Sequence, residues 1–224
     1  MSSKFSNSFQ PNGSYSRSQA RPAKSQRILV LGNDPQINSI KFDRLAKDVV
    51  TIGVNRIWLK HIPNFYFFHD YDILSELMLD QERLLALQMG AKCFSSDWLA
   101  YQARKASGRI PGWIRVHARN TKSTFPDSVS TAMRLFIQHY LTSTSRTFYI
   151  AGVSLKWKEP SHFWKVDEYQ SRNDKDVDWY LPRFDKMLEN FKSLKSTGTQ
   201  IVSVNPDSRL NGLFRYEGID SLYH

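Results

Sequence analysis

Arg27-Ile28-Leu29-Val30-Leu31-Gly32-Asn33-Asp34-Pro35-Gln36 carries the decisive pattern of this chain, an apolar run that ends in a Gly-Asn-x-Pro turn. The run from Ile28 to Leu31 fits a strand covered on both faces, as in parallel α/β sheets. In the turn, Gly32 allows a backbone to approach a ligand with no side chain in the way. Asn33 can donate and accept hydrogen bonds, and Pro35 suits the first position of a following helix. The stretch is either the phosphate end of a nucleotide site or an ordinary strand-to-helix turn, and alone it does not decide between them.

Outward from this stretch, strands and helices alternate. Strands are expected at Val49 to Val54, Asn64 to Phe68, Lys92 to Ser95, Phe148 to Val153 and Gln200 to Val204. Between them, Ile40 to Ala46 forms a short helical or irregular connection. Ile73 to Met89 places Leu74, Leu77, Met78, Leu84, Leu85 and Leu87 at helical spacing. Thr124 to Asp127 is a capping-box pattern, with Pro126 in the first turn of a helix whose stripe is Val129, Met133, Phe136, Ile137 and Tyr140. Asp178 to Lys195 is a long amphipathic helix. This alternation predicts a mostly parallel sheet between helices, and no internal repeat is visible.

With 224 residues the chain can bury one full core, so a single domain is expected. No apolar run approaches the roughly 20 residues needed to cross a bilayer, and the N-terminus lacks the apolar centre of a secretory signal. The single cysteine, Cys93, excludes an intramolecular disulfide and any cysteine-based zinc cluster, which fits a reducing cytoplasm. Its Ala-Lys-Cys-Phe context favours a buried structural residue over a nucleophile.

The net charge of +10 is local. Residues 1 to 27 hold Lys4, Arg17, Arg21, Lys24 and Arg27; residues 98 to 126 hold Arg104, Lys105, Arg109, Arg115, Arg119 and Lys122. Neither stretch contains an acid, and the rest of the chain is close to neutral, 20 basic against 21 acidic. The first stretch, rich in Ser, Asn, Gln, Gly and Pro, reads as a disordered basic arm over 1 to 26, ahead of an α/β domain over 27 to 224. Its composition also resembles a transit peptide, but a solvated arm is preferred. The second stretch interleaves bases with Trp98, Tyr101 and Trp113, which suits either a nucleic-acid surface or a plain solvated face.

Ligands of such sheets sit at the carboxyl ends of the strands. Here those ends deliver Gly32-Asn33, Asn55, His69-Asp70, Gly152 and Asn205, a polar crescent suited to a nucleotide rather than a bare apolar ligand. Each Asn alone reads as a turn residue. The order Gly32-Asn33-Asp34-Pro35, Gly53-Val54-Asn55-Arg56, Phe67-Phe68-His69-Asp70, Tyr149-Ile150-Ala151-Gly152-Val153 and Asn205-Pro206-Asp207-Ser208-x-Leu210 resembles the bacterial sialyltransferases of glycosyltransferase family 42, over residues 27 to 214. The resemblance implies a single Rossmann-like domain with a lid, here about 156 to 178. It also implies a cytidine monophosphate sugar donor, inversion at the anomeric carbon and no metal requirement. It would give Gly32 and Asn33 contacts to the donor phosphate and ribose region, and Asn55 a hold on the nucleotide or sugar. His69 stands where the family usually has a second donor-contacting Asn. Asp127 and Ser128 fall near a sugar-contacting Ser at a helix start, and Gly152 closes the crescent.

The lid departs from the family. Gln170-Ser171-Arg172-Asn173-Asp174 resembles the base-bearing sequence with Gln170 in place of its histidine, which leaves His162 as the candidate general base. Lys156, Tyr169 and Arg172 are candidates for stabilising the leaving phosphate. A second arrangement rests on Asp70 and Asp72, an Asp-x-Asp pair of the kind that holds magnesium or manganese on a nucleoside diphosphate sugar; a helix cap is the simpler explanation. The expected activity is transfer of a sugar to a hydroxyl acceptor, either a glycan or a modified base in DNA. The precedent for the DNA acceptor is viral base-modifying glycosyltransferases, which would place the protein in a host cytoplasm. The alternative is a non-catalytic nucleic-acid-binding or virion-associated protein on a decayed glycosyltransferase fold.

Overall fold

The computed structural model describes residues 26–106, 108–118, 127–141, 146–156, 162–163, 177–195 and 199–224, with side chains at 177–180 excepted. The basic arm up to residue 25, Arg119, Lys122, Thr124, Pro126 and the lid residues Tyr169, Gln170 and Arg172 lie outside them. The described elements run β1 (Gln26–Leu31), β2 (Val49–Val54), β3 (Phe65–Phe67), α1 (Tyr71–Leu79), α2 (Gln81–Gly90), β4 (Lys92–Ser96) and α3 (Asp97–Lys105). They continue with β5 (Arg115–His117), α4 (Ser128–His139), β6 (Arg146–Ala151), α5 (Val177–Lys195), β7 (Gln200–Ser203) and β8 (Arg215–Tyr216).

All eight strands join one sheet in the order β5-β4-β3-β2-β1-β6-β7-β8, and every neighbouring pair is parallel. Both faces are covered, which is why β1 is apolar throughout its second half. Ile28 and Val30 pack with Val129, Met133 and Phe136 of α4 and Phe191 of α5. Leu29 and Leu31 pack on the opposite face with Leu74 and Leu77 of α1 and Leu84 and Leu87 of α2. The strands step outward from β1 to β5, then the chain returns to lay β6 on the other side of β1 and steps the opposite way. This reversal makes β1 and β6 the topological switch point, where connections leave in opposite directions and open a crevice.

Several boundaries differ from the sequence pattern for local reasons. The helix expected from Ile73 to Met89 breaks at Asp80, whose carboxylate accepts a hydrogen bond from Arg83 N at 3.1 Å and opens α2. Asp127 is the N-cap of α4, so its helix starts at Ser128 and not after Thr124. The turn after Pro35 is a five-residue 3-10 segment, Pro35–Ser39, rather than an α-helix. β5, β8 and α3 have no counterpart in the expected elements; the two strands are short, edge-placed and largely exposed, so no apolar run marks them.

The two central turns touch. A Cβ on Gly32 would stand 2.3 Å from the Gly152 carbonyl oxygen and 2.7 Å from Val153 Cγ2, while Gly152 itself has φ +67° and faces Ile37. Gly32→Ala is therefore expected to lower stability by about 2–3 kcal/mol through backbone displacement, read from urea unfolding. A second expectation concerns acid. His61 stacks on Phe42 with centroids 4.3 Å apart, and burial pushes its pKa down from 6.5 to about 4. The unfolded chain binds the extra proton between those values, so stability is intact above about pH 6.5 and falls as pH drops toward 4. His61→Phe should flatten that limb of a stability–pH profile.

Candidate functional site

At the switch point four backbone amides are committed within the protein. Gly32 N donates to Ala151 O and Asp34 N to Gly152 O, both at 2.9 Å. Asp34 Oδ1 accepts from Gln36 N at 3.1 Å, and Ile37 N donates to Asp34 O at 3.0 Å. Gln36 ties three strand ends together: its Oε1 accepts from Gly152 N at 2.8 Å and its Nε2 donates to Val204 O at 2.7 Å. Gly32 thus brings the β1 turn against the β6 turn, and these four amides do not form an open anion nest. Polar side chains reach the same level. Asn33 Oδ1 and Asn205 Nδ2 are buried and have no hydrogen-bond partner among the described residues, an acceptor and a donor at the carboxyl ends of β1 and β7.

A second group forms at the ends of β2 and β3. Leu31 pairs with Gly53, so Asn33 and Asn55 follow adjacent strands at the same level. Asn55 is a non-glycine residue at φ +51°, a conformation that costs on the order of 1–3 kcal/mol and clusters at functional sites. Its carbonyl is held by the buried Tyr66 hydroxyl at 2.6 Å, a phenol whose pKa burial pushes well up. Its Oδ1 accepts from Ser128 Oγ at 3.1 Å, and Ser128 Oγ lies 3.4 Å from His69 Nε2. The neighbouring Arg56 guanidinium forms a two-pronged ion pair with Glu76, one arm at 2.6 Å. Asp127, by contrast, turns inward: it accepts from Ser130 N at 2.7 Å, from Ser130 Oγ, and from Asn190 Nδ2 at 2.6 Å. Asn55, His69 and Ser128 therefore meet, while the Asp127 carboxylate is occupied in fixing α4 to α5.

Beyond β6 the chain passes through Leu155, like Asn55 a non-glycine residue at positive φ, +53°. Lys156 Nζ pairs with Asp207 Oδ1 at 2.7 Å across an exposed gap. The half-buried His162 is brought to the crevice by its neighbour: Phe163 N donates to Asn33 O at 3.0 Å, and Asn38 Nδ2 donates to Phe163 O at 3.0 Å. Asp70 occupies the N-cap position of α1 and Asp72 its exposed first turn. Among the described residues no three of His, Cys, Asp or Glu stand together as a metal-binding set. Cys93 is buried, and burial pushes its thiol up to about 12, the wrong direction for a nucleophile. Tyr66, Gln36, Asn38 and Asn190 were not marked by the sequence; each is a lone polar residue whose partner is remote along the chain.

In the basic stretch, Arg104, Lys105, Arg109 and Arg115 are exposed. Tyr101 of α3 lies between Trp98, stacked on it at 5.1 Å, and Lys105, 5.7 Å from its ring centre. Trp113 packs against the core. Among the described residues no helix is long and apolar enough to cross a membrane.

No family model and no curated protein matches the sequence. By structure, the monofunctional alpha-2,3-sialyltransferase Cst-I from Campylobacter jejuni superposes with a TM-score of 0.52 at 16% identity, over 86% of this chain and 80% of that one. The chain has that sialyltransferase's fold. Two further structures are more distant in shape. An alpha-2,3-sialyltransferase from Campylobacter jejuni in apo form gives a TM-score of 0.47 at 16% identity, over 89% and 82% of the two chains. The sialyltransferase CST-II in complex with trisaccharide acceptor and CMP gives 0.48 at 12% identity, over 85% of each.

Removing the carboxylate that fixes α4 tests the structural reading of Asp127. Asp127→Ala should cost about 2–4 kcal/mol in urea unfolding, and Asp127→Asn, which keeps an N-cap acceptor, distinctly less.

Proposed function

We propose that this chain is a glycosyltransferase that takes a CMP-sugar and passes the sugar to a hydroxyl acceptor. The observation that carries the reading is the polar side-chain set at the switch point of a sialyltransferase fold. There Asn33 and Asn205 present buried polar atoms unsatisfied among the described residues, and Asn55 is held at positive φ at the same level. A ligand group that meets those atoms satisfies polar atoms that are costly to bury unpaired.

In this reading the donor lies across the ends of β1, β2 and β6. Asn33 and Asn55 contact it, with Ser128 and His69 behind them, and Gly32 and Gly152 shape the floor. His162, drawn to the Asn33 turn through Phe163, takes the acceptor proton as the hydroxyl oxygen attacks the anomeric carbon. The bond from that carbon to the phosphate oxygen breaks, and CMP leaves with the electron pair. Lys156, which pairs with Asp207, would meet the phosphate charge in this reading, with Tyr169 and Arg172 as further candidates. Direct transfer of this kind needs no cofactor. A magnesium or manganese version would call on Asp70 and Asp72, and transfer that survives a chelator removes it.

A glycan acceptor is preferred to a modified DNA base. Tyr101 is flanked by Trp98 and Lys105, which leaves less of its ring face for stacking a base than an open aromatic platform would. A DNA acceptor would instead show binding that weakens steeply with salt.

CMP should raise the melting temperature, and UMP should raise it less. His162→Ala should cut transfer by about 10²- to 10⁴-fold while CMP still binds, whereas Asn33→Ala should weaken CMP binding itself. Full transfer in both variants would overturn these roles, and a melting shift with nucleic acid but with no nucleotide would favour a non-catalytic binding protein.

A further inference from the structure

The Asn55, Ser128 and His69 side chains form a chain whose protons can be counted. A serine hydroxyl carries one proton, and Ser128 Oγ donates it to Asn55 Oδ1 at 3.1 Å. Toward His69 the same oxygen can then only accept. Another group near His69 Nε2 is the Asp70 carboxylate, with Oδ1 3.8 Å away, and a carboxylate also only accepts. Both of these groups call for a proton on that nitrogen. The ring is fixed among packed groups, since His69 is 6% exposed and meets Phe67 edge-on at 5.7 Å.

The count continues to Asn55. With Oδ1 occupied by Ser128, the carboxamide is oriented, and its Nδ2 donates to no group among the described residues. The backbone is held as firmly, at φ +51° with the carbonyl on Tyr66 Oη. Asn55 is thus fixed at both main chain and side chain, with two N–H donors left for a ligand.

We propose that His69, acting through Ser128, is a positioning residue that orients the Asn55 carboxamide so that its N–H donors face the crevice and select an oxygen acceptor of the nucleotide donor. The proposal rests on the CMP-sugar reading for the identity of that ligand, but the hydrogen-bond polarity stands without it. His69 does not touch the ligand; it sets which end of Asn55 does. The link that matters is an N–H at the position of Nε2, which a glutamine amide can supply and the shorter asparagine cannot.

Two measurements test this on the full-length protein. The first is ¹⁵N–¹H correlation spectroscopy of the imidazoles without ligand at about pH 8, above the ordinary imidazole range. His69 is expected as the Nε2–H tautomer, and a proton on Nδ1 would overturn the proposal. The second is calorimetric titration of CMP into wild type, Ser128→Ala, His69→Ala, His69→Asn and His69→Gln, with melting curves to confirm that each variant is folded. Loss of one orienting hydrogen bond should weaken CMP by about fivefold in the alanine and asparagine variants, and His69→Gln should restore affinity. Wild-type affinity in His69→Ala, or equal loss in His69→Gln and His69→Ala, would overturn it. If wild type does not bind CMP, the CMP-sugar reading fails separately. The polarity is then decided by the tautomer and by the Asn55 side-chain amide resonances, whose failure to shift in His69→Ala would overturn the inference.

Discussion

The contact between the backbones of Gly32 and Gly152 governs the architecture of the crevice. β1 and β6 pair in register up to Leu31 and Ala151, and both chains must turn away at the same level. There is no room for a Cβ on the first glycine, and the second needs a positive φ. Gln36 then fixes the result by joining the Gly152 amide to the Val204 carbonyl, so one side chain ties β1, β6 and β7. The Asn33 carbonyl, which receives the Phe163 amide, is held in place by the same turn.

This close packing changes what can recognise a ligand. In many α/β folds a glycine-rich turn leaves backbone amides open to phosphate. Here the amides of Gly32, Asp34, Gln36 and Ile37 are spent internally, so Asn side chains and the groups that orient them carry more of the selectivity. The two strained non-glycine residues, Asn55 and Leu155, sit where that burden falls, at the side-chain site and at the root of the lid. Strain there is tolerated because the surroundings overdetermine it: Tyr66 and Ser128 hold Asn55, and Leu155 is buried.

The sequence made the central strands legible because burial on both faces writes a continuous apolar run, as in Ile28 to Leu31 and Phe148 to Ala151, or one broken only by small residues, as in Val49 to Val54. The edge strands Arg115–His117 and Arg215–Tyr216 carry no such mark, since they are short and largely exposed. Asp80 hid a helix break inside an apolar pattern that runs smoothly through it. At the site, the polar strand ends were visible as a set, and three of the marked residues, Asn55, His69 and Ser128, do meet. The inward turn of Asp127 was not visible, because a cap and a ligand contact use the same residue at the same helix position; only the partner Asn190, 63 residues away, distinguishes them.

The strand order also has a consequence for how the chain comes off the ribosome. β1 pairs on one side with β2, close in sequence, but its other neighbour, β6, arrives only after the whole β2-to-β5 half; the Gln36–Gly152 link spans 116 residues. Until then β1, apolar from Ile28 to Leu31, is an open edge, a template for pairing with another chain. The feature that places the crevice at the centre of the finished sheet therefore makes that same strand the nascent chain's aggregation hazard.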